Sequence, residues 1–235
     1  MERNMRLLSL IIGFTFVLSG VYAQVGIAGG MSTLIGFGTV DRTKPWGGFH
    51  LSVEIPRDDE VSMYGRFTHH FNQESINPIT PEDLFTGGYY VELIPRDFNS
   101  GLPNQYIGAT PKMNYNILEG GTRYYLGSGF DFGWSAYGGG NFMLMFSSVK
   151  LDYDPFDEVN YMLNDNNRLD GTIVSLGFGL GGGVKYSTAP MGTFYFDLNL
   201  NYIIYNQASN PSVYAYMYSQ LMFNFNLGFR KDILW

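Results

Sequence analysis

The sequence predicts an all-β fold: a closed antiparallel up-and-down transmembrane β-barrel of eight strands with long extracellular loops. Three observations carry this reading. The first is a sustained alternation in the last third of the chain. From Thr193, Phe194, Phe196, Leu198, Leu200, Tyr202 and Ile204 are apolar, while Tyr195, Asp197, Asn199 and Asn201 between them are mostly polar. After a short break the parity swaps. Ala215, Met217, Leu221, Phe223, Phe225, Leu227 and Phe229 then form one face, and Tyr216, Tyr218, Gln220, Asn224, Asn226 and Arg230 the other. A period of two means strands with two unlike faces. Such runs exceed the soluble strand of about five or six residues. They suit a tilted crossing of a hydrocarbon layer, which takes about nine to eleven residues plus flanks. The second observation is that almost no charge falls on the apolar faces. The third is an asymmetry between short turns at one end and longer connections at the other.

The elements follow in order. Residues 1–23 read as a secretory signal: Arg3 and Arg6 form the charged start, Leu7 to Leu18 the apolar core, and Val21-Tyr22-Ala23 the cleavage site, giving a mature start at Gln24. Residues 24–235 form the barrel. Strand one, about 25–37, turns Val25, Ile27, Met31, Ile35 and Phe37 one way and Gly26, Ala28, Gly30, Ser32 and Gly36 the other. Strand two, about 47–55, sends Phe49, Leu51, Val53 and Ile55 outward and His50, Ser52 and Glu54 inward. Pro56-Arg57-Asp58-Asp59 is a tight turn. Strand three, about 61–72, sends Val61, Met63, Phe67 and Phe71 outward and Tyr64, Arg66, Thr68 and His70 inward.

Residues 73–111 hold Pro78, Pro81, Pro95, Pro103 and Pro111 and read as one long loop, in which 89–94 forms at most a short extra strand. Strand four, about 112–126, carries Leu118, Thr122, Tyr124 and Leu126 outward and Glu119, Arg123 and Tyr125 inward. Gly127-Ser128-Gly129 makes a hairpin turn. Strand five, about 130–149, carries Phe130, Phe132, Trp134, Phe142, Leu144 and Phe146 outward and Asp131, Ser135, Tyr137 and Asn141 inward. An acidic loop spans about 151–168. Strand six, about 169–186, faces Val174, Leu176, Phe178, Leu180 and Val184 outward, with Gly177, Gly179, Gly181, Gly183 and Lys185 inward. That glycine row makes room for large lumen side chains such as Tyr137 or Tyr195. Strands seven and eight are the two alternating runs of the last third, joined by a short connection at Asn210-Pro211.

Composition agrees and removes other classes. The 235 residues are 45% hydrophobic and 15% charged, with 30 Gly, 18 Tyr and 19 Phe. No run of 18 apolar residues follows the N-terminus, which excludes a multi-helix membrane protein. There is no Cys, hence no disulfide or thiolate metal site. The formal charge is −7. Without residues 1–23, which carry Glu2, Arg3 and Arg6, 12 basic and 20 acidic residues remain, a net −8. An acidic chain of this kind is no nucleic-acid binder, because phosphate binding needs clustered Lys and Arg.

These strands, the turn asymmetry, the signal and the aromatic end Phe229–Trp235 resemble the small eight-stranded bacterial outer-membrane β-barrels, the class of the OmpA membrane domain and OmpX. The resemblance covers 24–235 and implies residence in the cell outer membrane, in contact with lipid and lipopolysaccharide. It also implies delivery by the barrel-assembly machinery, which reads an aromatic C-terminus. The Ala-Gln cleavage site and Tyr- and Asn-rich strands are similar to Bacteroidetes outer-membrane proteins, some of which accompany secretion or gliding machinery. No periplasmic peptidoglycan-binding domain follows the barrel, so the cell-wall tether of full-length OmpA does not carry over.

Parity places Glu54, Arg66, Glu119, Arg123, Asp131, Lys185, Asp197 and Arg230 in the lumen. Four acids and four bases inside a narrow barrel must be paired or wet. They predict a sealed polar core, with a gated pore as the alternative. Phe85, Tyr89, Tyr90, Leu93, Ile94, Phe98 and Tyr106 in the long loop form either a cap on the barrel mouth or a surface for another outer-membrane protein. His50, His69 and His70 invite comparison with barrels that modify lipid A, but no nucleophile motif accompanies them. Asp152, Asp154, Asp157, Glu158 and Asp165 supply oxygens for a divalent cation without EF-hand spacing. The sequence requires no cofactor. It therefore predicts a non-enzymatic structural or accessory barrel. A narrow channel for small or apolar solutes and a lipid-modifying enzyme are the alternatives. A soluble ligand-binding barrel would show the inverse pattern, apolar within and polar without.

Overall fold

The computed structural model describes residues 25–37, 45–74, 89–127, 131–164, 170–188, 191–209 and 220–233. The signal segment, Phe85 and Asp165 lie outside the described residues. Ten strands follow one another: β1 (Val25–Phe37), β2 (Trp46–Pro56), β3 (Val61–Glu74), β4 (Tyr89–Pro95), β5 (Gln105–Tyr125), β6 (Gly133–Tyr153), β7 (Tyr161–Leu163), β8 (Gly171–Thr188), β9 (Gly192–Ala208) and β10 (Leu221–Ile233). Eight of them close a circuit in which β1 pairs with β10 and β3 with β5, all antiparallel. Closure leaves no ladder edge in the wall, which a hydrocarbon surrounding demands. The remaining two, β4 and β7, stand above one end as a crown. There β4 pairs with 105–109 of β5, and β7 with 93–95 of β4.

Side chains alternate around this wall as the sequence requires. Met31, Leu51, Met63, Phe142, Leu180 and Leu227 are exposed on the outside. Arg66, Asp197, Asn201, Asn226 and Arg230 are buried inside. An exposed apolar girdle of this extent far exceeds the few hundred Å² found on a protein surrounded by water. Acyl chains are its natural solvent, so this is a membrane-spanning barrel and not the soluble inverse.

Several strand boundaries differ from expectation. β5 starts at Gln105, so 105–111 is strand and not loop. Pro111 is tolerated because β5 changes partner there: the β3 ladder ends at Lys112 and the β4 ladder begins at Ala109. A missing N–H costs little in that gap. β6 starts at Gly133, whose φ of +88° ends the preceding turn, so Asp131 and Phe132 are not strand, and Phe130 lies outside the described residues. It runs on to Tyr153, taking Leu151 and Asp152 out of the acidic loop. β9 ends at Ala208 and β10 begins at Leu221, opposite the last residue of β1, Phe37. The expected join at Asn210-Pro211 and residues 215–218 lie outside the described residues.

Candidate functional site

The lumen is built in two tiers. In the tier nearer the short turns, six of the eight expected charges meet. Arg66 grips Asp197 with both terminal nitrogens, at 2.6 and 3.2 Å, and lies 3.4 Å from Glu119. Arg123 bridges Glu54 (2.6 Å) and Asp197 (2.8 Å), and Arg230 reaches Glu54 at 3.1 Å. Tyr125 and Ser62 donate hydroxyl hydrogen bonds to Glu54, and Asn226 donates to Asp197 at 2.8 Å. The Arg123 guanidinium also lies over the rings of Tyr64 (4.5 Å) and Tyr137 (4.9 Å). Three carboxylates thus neutralise three guanidiniums in a nearly dry space, the arrangement in which buried charges are tolerable. A gap of about 10 Å³ between Tyr64, Arg123, Asp197 and Asn199 matches the size of one water.

The other two expected members are placed differently. Lys185 is buried, but its Nζ donates to the Asp131 carbonyl (3.1 Å) and to Ser187 Oγ (3.2 Å). Asp131 is exposed in the turn before β6 and is not a lumen charge, because the alternation that placed it inside starts only at Gly133. Asp232, unassigned by the sequence reading, contacts Arg230 at 2.9 Å. It stands two residues beyond Arg230, so parity could have found it.

Glycines give this tier its room. A Cβ at Gly183 would lie 2.7 Å from the Tyr137 ring and 2.3 Å from the Phe196 carbonyl. Tyr195 packs over Gly228 instead of the expected glycine row, with its Cζ 2.6 Å from a Cβ built there. His50 Nε2 meets the Tyr195 hydroxyl at 2.6 Å. A collar of amides follows: Ser32 donates to Asn224 (2.7 Å), and Asn141 donates to Asn201 (3.0 Å) and Glu119 (3.3 Å).

Beyond the collar the lumen turns apolar. Met113, Tyr115, Ile117, Met143, Met145 and Met222 fill it, with Leu34, Trp46, Ile173 and Ile203 around them. The expectation of a polar lumen throughout is corrected here. These residues share the inward parity of Glu119, Asn141, Asn201 and Asn224 further down the same strands. β5, β6, β9 and β10 thus each carry a polar stretch and an apolar one on the inner face, a change along the strand that parity does not register.

The crown extends the apolar tier. Val91 of β4 is fully buried within that apolar cluster, and Leu93, equally buried, lies where β4 pairs with β5 and β7. Ile94 is partly buried, while Phe98 and Tyr106 are 78% and 67% exposed at the crown's tip. Tyr89 and Tyr90 pair through their backbones with Ala109 and Gly108. Glu92 ties the crown together by accepting from Asn104 (2.8 Å) and Asn164 (2.7 Å). Arg96 Nε donates to the Glu158 carbonyl at 2.8 Å.

The other candidate groups are dispersed. His50 and His70 are buried in the lumen, and His70 Nδ1 bonds the Trp46 carbonyl at 3.1 Å. His69 points outward to Asn116, 2.8 Å away. In the acidic segment Asp152 pairs with Lys112, and Asp157 accepts from Asn160 (2.7 Å) and Val159 (3.0 Å) within its own turn. Those hydrogen bonds hold the Asp157 carboxyl below its ordinary range. Among the described residues no three acidic or histidine side chains converge as a metal site would require.

No protein-family model and no curated protein matches this sequence. Solved structures do resemble it. A major outer membrane protein of Thermus thermophilus aligns with a TM-score of 0.53 at 14% identity, over 90% of this chain and 99% of its own. Neisserial surface protein A gives 0.48 at 13% identity, over 89% and 96%. OprG of Pseudomonas aeruginosa gives 0.48 at 14%, over 91% and 97%. The first of these likenesses shows the fold, that of the outer-membrane β-barrels.

Proposed function

We propose that this chain is a non-enzymatic outer-membrane β-barrel, a structural or accessory subunit of an envelope or secretion-type complex. Its wall holds it among lipid and lipopolysaccharide, after insertion by the barrel-assembly machinery, and its crown meets the partner. The observation that carries this reading is the closed network of Glu54, Arg66, Glu119, Arg123, Asp197 and Arg230 across the lumen. A lumen tied shut by bidentate and shared ion pairs serves the wall and not a current of ions. The exposed Phe98 and Tyr106 on a sheet-braced crown supply apolar anchors of the kind interfaces use. Affinity purification from gently solubilised membranes tests it. A stable companion that is lost with Phe98→Ser/Tyr106→Ser is expected, and a chain that always purifies alone overturns the subunit reading.

A second reading has its own support. The apolar upper tier suits a narrow passage for small apolar solutes that enter at the crown and leave sideways above the ion network. Planar-bilayer recording and uptake of an apolar solute into vesicles separate the two. Discrete current steps or protein-dependent uptake favour passage, and silence in both favours the sealed barrel.

A further inference from the structure

Between the end of β6 and β7 the crown opens a cleft of about 790 Å³. Leu151, Tyr153, Phe156, Met162 and Leu163 supply its apolar lining, and Arg96, Asp152, Asp154 and Glu158 its charges. Phe98 and Tyr106 do not line it. A concave space of this size, with apolar walls and a few placed polar groups, suits a small ligand.

The charges of the cleft are held apart. Arg96 is pinned through its Nε, which donates to the carbonyls of Glu158 (2.8 Å) and Tyr161 (3.2 Å), and through its backbone N–H, which donates to the Asn160 carbonyl at 2.9 Å. This anchoring leaves the two terminal nitrogens, a fork whose shape matches a carboxylate. Among the described residues no carboxylate pairs with that fork. Asp152 is taken by Lys112. Asp154 is seated by backbone and shape. Its N–H donates to the Gly108 carbonyl at 2.9 Å, and its carboxylate lies over Gly108, with Oδ2 2.3 Å from where a Cβ would stand. Only glycine allows so close an approach. Among the described residues no cation pairs with the Asp154 carboxylate. One fixed positive group and one fixed negative group thus share an apolar cleft without neutralising each other.

We propose that this cleft binds a short zwitterionic peptide with apolar side chains, two or three residues long. Arg96 grips the C-terminal carboxylate, Asp154 takes the N-terminal ammonium, and the side chains lie on Tyr153, Phe156 and Met162. A simple anion or cation would satisfy only one of the two groups, so the pair selects a ligand that carries both charges. The site goes beyond the functions proposed above, since it needs the fold of the crown but neither a partner protein nor a passage.

Isothermal titration calorimetry of the full chain in neutral detergent, with empty micelles as the blank, tests it. The probes are trileucine, N-acetyl-trileucine, which lacks the ammonium, and trileucine amide, which lacks the carboxylate. One-to-one binding of trileucine is expected, with each blocked probe weaker by about tenfold. Asp154→Asn should weaken trileucine by about the same factor and leave N-acetyl-trileucine unchanged. Arg96→Gln should weaken trileucine likewise and leave the amide unchanged. Gly108→Ala, which displaces the Asp154 carboxylate without removing its charge, should weaken trileucine more than N-acetyl-trileucine. Absence of trileucine binding, or equal affinity for all three probes, overturns the site. So does a set of variants that weaken every probe alike, as mere loosening of the crown would.

Discussion

The two tiers of the lumen sit inside the same eight strands, yet opposite chemistry fills them. Below the amide collar, Glu54, Arg66, Glu119, Arg123, Asp197 and Arg230 hold one another by directional, mutually dependent contacts. Above it, Met113, Ile117, Met143, Met145 and Met222 fill space without direction. Removing one charged partner strands the others in a dry medium, whereas removing one apolar group leaves a hole that flexible methionines can partly close. The lower tier should therefore be brittle and specific, the upper tier tolerant.

Substitutions can break or sharpen that contrast. The largest effect is expected from Asp197→Ala, which leaves Arg66 and Arg123 without their shared carboxylate and should cost about 3–5 kcal/mol in urea unfolding from phospholipid vesicles. A cost below ~1 kcal/mol would show that the network contributes little. Met143→Ala should cost about 2–3 kcal/mol in the same assay, toward the lower end of the usual range because neighbouring methionines can move in. Met143→Leu should cost less than ~1.5 kcal/mol. If the leucine variant matched the Asp197 loss, the upper tier would be no more tolerant than the lower. Gly183→Ala forces Tyr137 aside and should cost about 1–3 kcal/mol, reaching Arg123 through its contact with that ring. Smallest of all is Asp157→Ala. It should leave the unfolding midpoint unchanged and only quicken amide exchange at Val159 and Tyr161 in the exposed turn.

Much of this architecture was legible in the residues. Alternation alone separated His69 from His50 and His70, and put Arg66 and Asp197 inside, because a strand of period two permits nothing else when one side is lipid. It misplaced Asp131, because a positive-φ glycine restarts the pattern at Gly133 and no local residue choice before it announces that. It also missed the strand at 105–111. Pro111 looks like a breaker until one knows that two different strands flank β5 on either side of it. The upper tier went unread for a different reason. Parity separates the two faces of a strand, while the lumen changes its chemistry along its axis.

The account depends most on which side of the wall each side chain takes. The chain has no cysteine, so single-cysteine variants report cleanly. Nitroxide labels at Leu180→Cys, on the outer face, and Ser175→Cys, on the inner face, should be read in vesicles by collisional relaxation with oxygen and with a water-soluble nickel chelate. Strong oxygen and weak nickel relaxation at 180, with little of either at 175, is the expected result. Nickel relaxation at 180, or strong oxygen relaxation at 175, would contradict a greasy wall around a filled interior.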